Sequence, residues 1–374
     1  MFKVEVSSGK RRNMQILADA SGRFRMMAID QRGSLKRMLA KVMDKPSDEV
    51  AYEDLAAVKK SVVKILSPYS SATLTDPVYG YPHCVQYIPR DVGLLLAYEE
   101  TGYEKAGANG QERKSSLIAG WSAEKIKRAG ANAVKLLIYY RPEASQETLE
   151  HQHGIIRQVG QECERYDLPF VLELVAYPLL EDELPEEKGA KATTDTPAFA
   201  RRKPEIVVRT AEEFSKPEYR ADVLKIEFPA DLKYTQEYCD GVFDGKKREP
   251  LYDLNDVKRY CRRLNQACGL PWVILSGGVG IDEFVQNVKL AVEAGASGFL
   301  GGRAIWQGCA QFYPDVEAME EWLATSGANN FKRLHEALSG ATPWFDHPRF
   351  GGYPNVELAD RGKDWYRKFS GFAA

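Results

Sequence analysis

The stretch "DVLKIEFP", residues 222–229, alternates with a period of two. Val223, Lys225 and Glu227 fall on one face, and Leu224, Ile226 and Phe228 on the other. Its apolar residues mark it as a buried strand, yet Lys225 sits in its middle. An ammonium buried without partners costs several kcal/mol, so other groups must point to the same place. The same rule applied outward finds them. "FRMMAID" (24–30) puts Met26, Ala28 and Asp30 on one face, with Asp30 at the carboxyl end. "AVKLLIYY" (133–140) groups Ala133, Lys135 and Leu137, and "FVLELVAY" (170–177) groups Val171, Glu173 and Val175.

Four more short apolar runs complete the series: "SSATLTD" (70–76), "GLLLAYE" (93–99), "WVILSGG" (272–278) and "GFLGGR" (298–303). Segments of helical period lie between them. "SDEVAYEDLAAVKKSVVKIL" opens on Ser47 as an N-cap followed by acidic residues, and "SAEKIKRAG" stops at Gly130. Eight strands alternating with helices at intervals of roughly 25–50 residues predict an α/β fold, a (β/α)8 TIM barrel. An open doubly wound sheet would need a glycine-rich first turn, and "DQRGS" after strand 1 does not supply one.

The barrel is expected over residues 1–345. Within it, "PLLEDELPEEKGAKATTDTPAFARRKP" (178–204) is charged and long, an extended loop after strand 5 on the active face that reads equally as a lid or as a solvated insertion. Its "RRKP" at 201–204 reads as solvated loop. Residues 315–341 read as two helices closing the barrel, and 346–374 as a C-terminal extension whose aromatics pack on another surface, a second subunit of a homo-oligomer being one option.

With 44% hydrophobic residues among 374, the chain has material for a large core, and a net charge of -2 gives no bulk pull toward nucleic acid or acidic membrane. Six cysteines without a CxxC pair read as reduced thiols of a cytoplasmic protein. "MFKVEVSSGKRRNM" has no apolar run after its charges, so it does not read as a signal peptide, and no window approaches the ~18 apolar residues of a membrane span.

A barrel has one interior, so Lys135, Glu173, Lys225 and Asp30 converge on one cavity. The structural alternative is a buried ion-pair network, Lys135 with Asp30 and Lys225 with Glu173 or Glu227, although such networks often add little net stability. The chemical reading starts from two lysines in a low-dielectric cavity. Desolvation and like charge disfavour ammonium there, so one amine is neutral more often than a free lysine. A neutral amine attacks carbonyls to form a Schiff base, and Glu173 shuttles the protons. Spacing alone leaves open which lysine is the nucleophile.

The last two strands end in Gly277–Gly278 and Gly301–Gly302, with Ser276 and Arg303 beside them. Loops after strands 7 and 8 are the usual phosphate site of this barrel, and Arg303 offers a fork of donors for phosphate oxygens. Five histidines are few. His151 and His153, at i and i+2, do not face one another, so no metal site or cofactor is expected. "GYEKAGANGQERK" (102–114) is loop-like and lacks the spacing of a nucleotide-binding turn.

In order, "AIDQRGSLKRML", "SSATLTDPVYG", "GLLLAYEETGYE", "GANAVKLLIYY", "FVLELVAY", "DVLKIEFP", "ILSGGV" and "GGRAIW" resemble the strands of the class I tagatose-1,6-bisphosphate aldolases, Schiff-base enzymes of DeoC/LacD type, over about residues 20–345. The resemblance implies metal-independent cleavage of a ketohexose bisphosphate to dihydroxyacetone phosphate and glyceraldehyde 3-phosphate. It assigns Lys225 as the Schiff-base residue and Glu173 as the acid/base, with Lys135, Asp30 and Gln31 lining the site. It gives Ser276, Gly277, Gly278, Gly301, Gly302 and Arg303 to a phosphate. Three departures stand out: the longer segment after strand 5, a tail past "TPWFDH", and "SGG" where the family commonly has "SAG". Members of the family also act on a sulfonated fructose phosphate, so epimer and distal anion stay open. A non-catalytic sugar-phosphate sensor acting on a partner protein is the rival from another class, and a phosphate-dependent isomerase a lesser one.

Overall fold

Eight parallel strands close on themselves in the computed structural model, which describes residues 3–185 and 192–369. They are β1 (Phe24–Ile29), β2 (Ala72–Thr75), β3 (Gly93–Ala97), β4 (Ala133–Tyr139), β5 (Phe170–Val175), β6 (Val223–Ile226), β7 (Trp272–Leu275) and β8 (Gly298–Gly301). Each pairs with its sequence neighbour, and β8 returns to β1 with Leu300 opposite Met26. Helices connect successive strands, the longest being Gln146–Arg165 and Pro197–Phe214.

Alternation divides the apolar residues into two shells, as the period-two pattern predicts. Met26, Ala28, Leu74, Leu95, Val171 and Val223 face inward and form one buried cluster. Ile29, Leu96, Leu136, Leu172, Ile226 and Ile274 face outward into the apolar sides of the helices. Register then sets the heights of the interior polar groups. Glu173 is level with Lys225 on one side and with Leu137 on the other, while Lys135 is level with Val171, one pleat lower.

The floor of the barrel is built by both ends of the chain. Strand Val4–Val6 pairs in parallel with Val356–Leu358. Helix Ser8–Leu17 buries Met14 and Leu17 against Trp344 and Phe350. Tyr353 accepts a hydrogen bond from Gln15 Nε2 (2.7 Å) and lies under the Arg11 guanidinium, 5.1 Å from its ring centre. The extension therefore packs on its own barrel, while Trp365, Tyr366 and Phe369 remain exposed; residues 370–374 lie outside the described residues.

Several local expectations are corrected. Ser47 starts a 3-10 turn, Ser47–Glu49, rather than a long helix; the helix is Tyr52–Leu66, where Asp54 accepts from the Ala51 N–H (2.9 Å) and caps it from inside. Part of the expected loop 178–204 is helical. Thr196 Oγ1 accepts from Phe199 N (3.2 Å) and Pro197 follows, a strong start signal that places "RRKP" inside helix Pro197–Phe214. Residues 186–191 of that stretch lie outside the described residues. The expected loop 102–114 contains an antiparallel hairpin, Glu104–Ala106 with Glu112–Lys114, with Gly107 and Gly110 at positive φ between the strands. Residues 316–337 run on without a break through a π-helical turn at Leu323–Gly327. No helix among the described residues is long and apolar enough to cross a membrane.

Two glycines of helix Gln146–Arg165 give a paired test of packing against propensity. A Cβ on Gly160 would stand 2.2 Å from the Tyr219 carbonyl oxygen, whereas one on Gly154 meets nothing within 4 Å. Gly154→Ala should gain roughly 0.5–1 kcal/mol of helix propensity. Gly160→Ala should lose about 1–3 kcal/mol net, because backbone must move. Urea midpoints of the two variants moving in the same direction would contradict this account of the contact.

Candidate active site

Lys135 is the centre of the polar group. It is fully buried, and its Nζ donates to Asp30 Oδ2 (2.7 Å) and Glu99 Oε1 (2.6 Å) and stands 2.8 Å from Glu173 Oε2. Lys225, 3% exposed, reaches the same Glu173 oxygen, also at 2.8 Å. Glu173 Oε2 thus touches two amines, and neither contact is aligned as a hydrogen bond. β5 and β6 make this unavoidable, since Glu173 and Lys225 are direct neighbours in the ladder and share the inward face.

Charge balance fixes the state of Lys135. Burial pulls its pKa down, but Asp30, Glu173 and Glu99 together hold it well above the usual lysine value. The expectation that one of the two amines is neutral therefore does not fall on Lys135. Burial likewise opposes ionisation of Asp30, yet Lys135 and then Lys225 hold its carboxyl well below the usual carboxylate range. Glu227, named as an alternative partner for Lys225, instead accepts from the Ala176 N–H (2.7 Å), and burial pushes its pKa up.

Glu99 is a site residue that the sequence reading did not single out. Leu95, Ala97 and Glu99 follow the same period-two rule through the end of β3, so the signal was present there. Its Oε2 accepts from Leu137 N (3.0 Å), and Arg32 Nη2 donates to its carbonyl (2.6 Å). A second buried pair lies behind β1 and carried no strand signal, because Lys59 belongs to a helix. Lys59 Nζ donates to the carbonyls of Ile29 (2.5 Å) and Gln31 (2.7 Å) and pairs with Asp76 (2.8 Å), both side chains fully buried. This clamp fixes the backbone on either side of Asp30.

The turns after β7 and β8 meet beside Asp30. Gly277 and Gly278 both have positive φ, at 57° and 89°, the left-handed region that glycine enters without a Cβ clash. A Cβ on Gly278 would stand 2.8 Å from Arg303 Nη2, so the guanidinium lies directly against that turn. Arg303 makes no hydrogen bond or ion pair among the described residues; burial and then Arg37 push its pKa down. Ser276 Oγ accepts from Gly302 N (3.4 Å), and Gln31 Nε2 lies against Gly302, leaving Gln31 Oε1 without a hydrogen-bond partner among the described residues. Gly301 differs in what a side chain there would meet. A Cβ there would meet Phe284 (2.8 Å) and Ile305 (3.1 Å), so the residue faces the outer helices and serves strand–helix packing.

The arrangement comprises two lysines in contact with one carboxylate, and glycine turns two strands from Lys225 whose guanidinium, Arg303, makes no hydrogen bond or ion pair among the described residues. Among the described residues no group of three or more His, Cys, Asp or Glu is placed to hold a metal ion; the converging carboxylates Asp30, Glu99 and Glu173 meet on the Lys135 ammonium instead.

Comparison with known proteins agrees with this picture. Residues 24–308 match the model of the DeoC/LacD family aldolases. The chain is 35% identical over 340 residues to the tagatose 1,6-diphosphate aldolase of Streptococcus agalactiae, covering 90% of this chain and 97% of that one. It is also 35% identical over 342 residues to that of Lactococcus lactis, covering 90% and 98%. In fold it is similar to fructose-bisphosphate aldolase from Plasmodium falciparum (TM-score 0.62, 13% identity, 91% of this chain and 98% of that one). It is likewise similar to an archaeal fructose-1,6-bisphosphate aldolase whose catalytic lysine carries the carbinolamine intermediate (TM-score 0.50, 16% identity, 88% and 99%). The barrel, its interior amines and these relatives lead to one conclusion: the chain belongs to the DeoC/LacD aldolase family.

Proposed function

We propose that this protein is a metal-independent Schiff-base aldolase that cleaves tagatose 1,6-bisphosphate, or a closely related ketohexose bisphosphate, to dihydroxyacetone phosphate and glyceraldehyde 3-phosphate. The observation that carries the reading is the single Glu173 oxygen held 2.8 Å from both Lys225 and Lys135. The curated relatives support the substrate class, being tagatose 1,6-diphosphate aldolases.

Lys225 passes a proton to Glu173 and, as the free amine, attacks the C2 ketone; the resulting carbinolamine receives that proton back on its hydroxyl, which leaves as water. The iminium then draws electrons. Glu173, directly or through water, removes the C4 hydroxyl proton; the C3–C4 bond breaks; glyceraldehyde 3-phosphate forms; and the electron pair passes into an enamine. Protonation at C3 and hydrolysis release dihydroxyacetone phosphate and restore Lys225. Lys135 stays charged throughout, holds Asp30 and Glu173 in place, and offers its ammonium to a substrate oxygen. Ser276, the Gly277–Gly278 turn, Gly302 and Arg303 hold a phosphate, with Gln31 beside them. Gly301 supports that turn from behind. The six unpaired cysteines fit a reducing cytoplasm, and the exposed aromatics of the tail, Trp365, Tyr366 and Phe369, support self-association.

Borohydride added with dihydroxyacetone phosphate should leave a covalent adduct that peptide mass spectrometry locates on Lys225, and Lys225→Met should abolish it. An adduct on another lysine, or none, would end this assignment. Glu173→Gln keeps the shape but loses the proton exchange, and should lower kcat for bisphosphate cleavage by about 10²–10⁴-fold. A kcat within tenfold of the parent in a coupled triose-phosphate assay would remove Glu173 from the proton path.

A further inference from the structure

Arg113, on the hairpin that follows β3, carries a guanidinium that makes no hydrogen bond or ion pair among the described residues. It is held instead by three aromatic faces, with its Cζ 4.4 Å from the ring centre of Tyr103, 4.8 Å from Tyr177 and 5.2 Å from Tyr139. Of the neighbouring cations, Lys114 is neutralised by Glu147 (2.5 Å) and Arg141 by Glu183 (2.7 Å) and Glu143 (3.0 Å), whereas Lys105, opposite Arg113 in the hairpin register, is exposed and has no ion pair among the described residues. Ring faces hold a guanidinium through cation–π attraction and shield it from water, while its N–H edge stays available for a forked contact to an oxyanion.

The support beneath Arg113 is rigid. Gln152, 1% exposed, donates to the carbonyls of Arg113 (3.0 Å) and Tyr139 (2.7 Å). Glu112, one residue back, accepts from Ser145 N (2.9 Å), Ser145 Oγ (2.6 Å) and the Thr148 hydroxyl. The hairpin is thereby pinned to helix Gln146–Arg165 and to the end of β4. Tyr139, the last residue of β4 with inward parity and a ring under Arg113, is level with Val175, one inward position above the Leu137–Glu173 pair. Arg113 thus borders the reacting centre.

Ring order gives the direction. In a closed barrel of eight, β4 lies opposite β8, and β6 with Lys225 lies two strands from each. Arg303 follows β8, and Arg113 stands over the end of β4. Arg113 and Arg303, neither paired with a carboxylate among the described residues, therefore stand at strand ends on opposite sides of the ring, with β6 two strands from each.

We propose that Arg113 binds the distal tetrahedral oxyanion of the substrate, the group on C6 that leaves with the aldehyde product, while the β7–β8 turns hold the proximal phosphate. This rests on the aldolase reading above. It assigns selectivity for an anionic aldehyde to the hairpin after β3.

Condensation of dihydroxyacetone phosphate with two aldehydes tests it. Wild type should prefer glyceraldehyde 3-phosphate over glyceraldehyde in kcat/KM. Arg113→Met, which keeps the apolar stem, should lower kcat/KM for the phosphorylated aldehyde by at least 30-fold, mainly through KM, and leave glyceraldehyde within threefold. Borohydride trapping of dihydroxyacetone phosphate on Lys225 should keep its concentration dependence, and Arg113→Lys should recover part of the preference. Replacing glyceraldehyde 3-phosphate by 3-sulfolactaldehyde in wild type shows whether phosphate or sulfonate is the better occupant. The proposal is overturned if Arg113→Met keeps the preference, or if it weakens both aldehydes and the trapping equally, which marks a scaffold role. If wild type traps no dihydroxyacetone phosphate, the aldolase reading itself fails and takes this one with it.

Discussion

One buried ammonium organises the mouth of this barrel. Lys135 is fully buried, and its charge is tolerable only because Asp30, Glu99 and Glu173 surround it. The dependence is mutual, since three carboxylates at that density would repel one another without a shared cation. β1, β3, β4 and β5 are therefore tied at one point, and the carboxylate left facing Lys225 is held at a fixed height. The same condition explains why a stability argument alone does not account for the network. Apolar residues often fill such a space at similar or lower free energy, whereas sites that depend on perturbed ionisation are where such groups cluster.

The barrel was legible because a parallel strand covered on both faces leaves few places for a charge. Lys135, Glu173 and Lys225 each interrupt an apolar run with inward parity, and alternation alone brings them together. Glu99 obeys the same rule and was accessible to it. Lys59 was not, because helical period assigns it to an amphipathic face without saying that Asp76 and two carbonyls wait at its end. Gly301 shows the opposite limit. A Gly-Gly pair in sequence does not say which missing Cβ makes room for a ligand and which makes room for a helix; parity does, turning Leu300 inward and Gly301 outward.

Loops were read least well, for local reasons. The hairpin after β3 is made of Glu, Lys, Gln and Arg, residues of low strand propensity, and is held by Gln152 and Glu112, which are distant in sequence or buried against expectation. The start of helix Pro197–Phe214 carried a clear Thr-Pro signal that a charged neighbourhood obscured. In both cases long-range partners decided a conformation that composition described only as polar.

Pairing of Val4–Val6 with Val356–Leu358 has a bearing on how the molecule is made. Its two strands are separated by about 350 residues, so the ladder forms only once a very long loop has closed. Until then its edge stays unsatisfied, together with the apolar underside that Trp344 and Phe350 later cover. An open base during folding is therefore the cost of so nonlocal a contact, on the side remote from the chemistry.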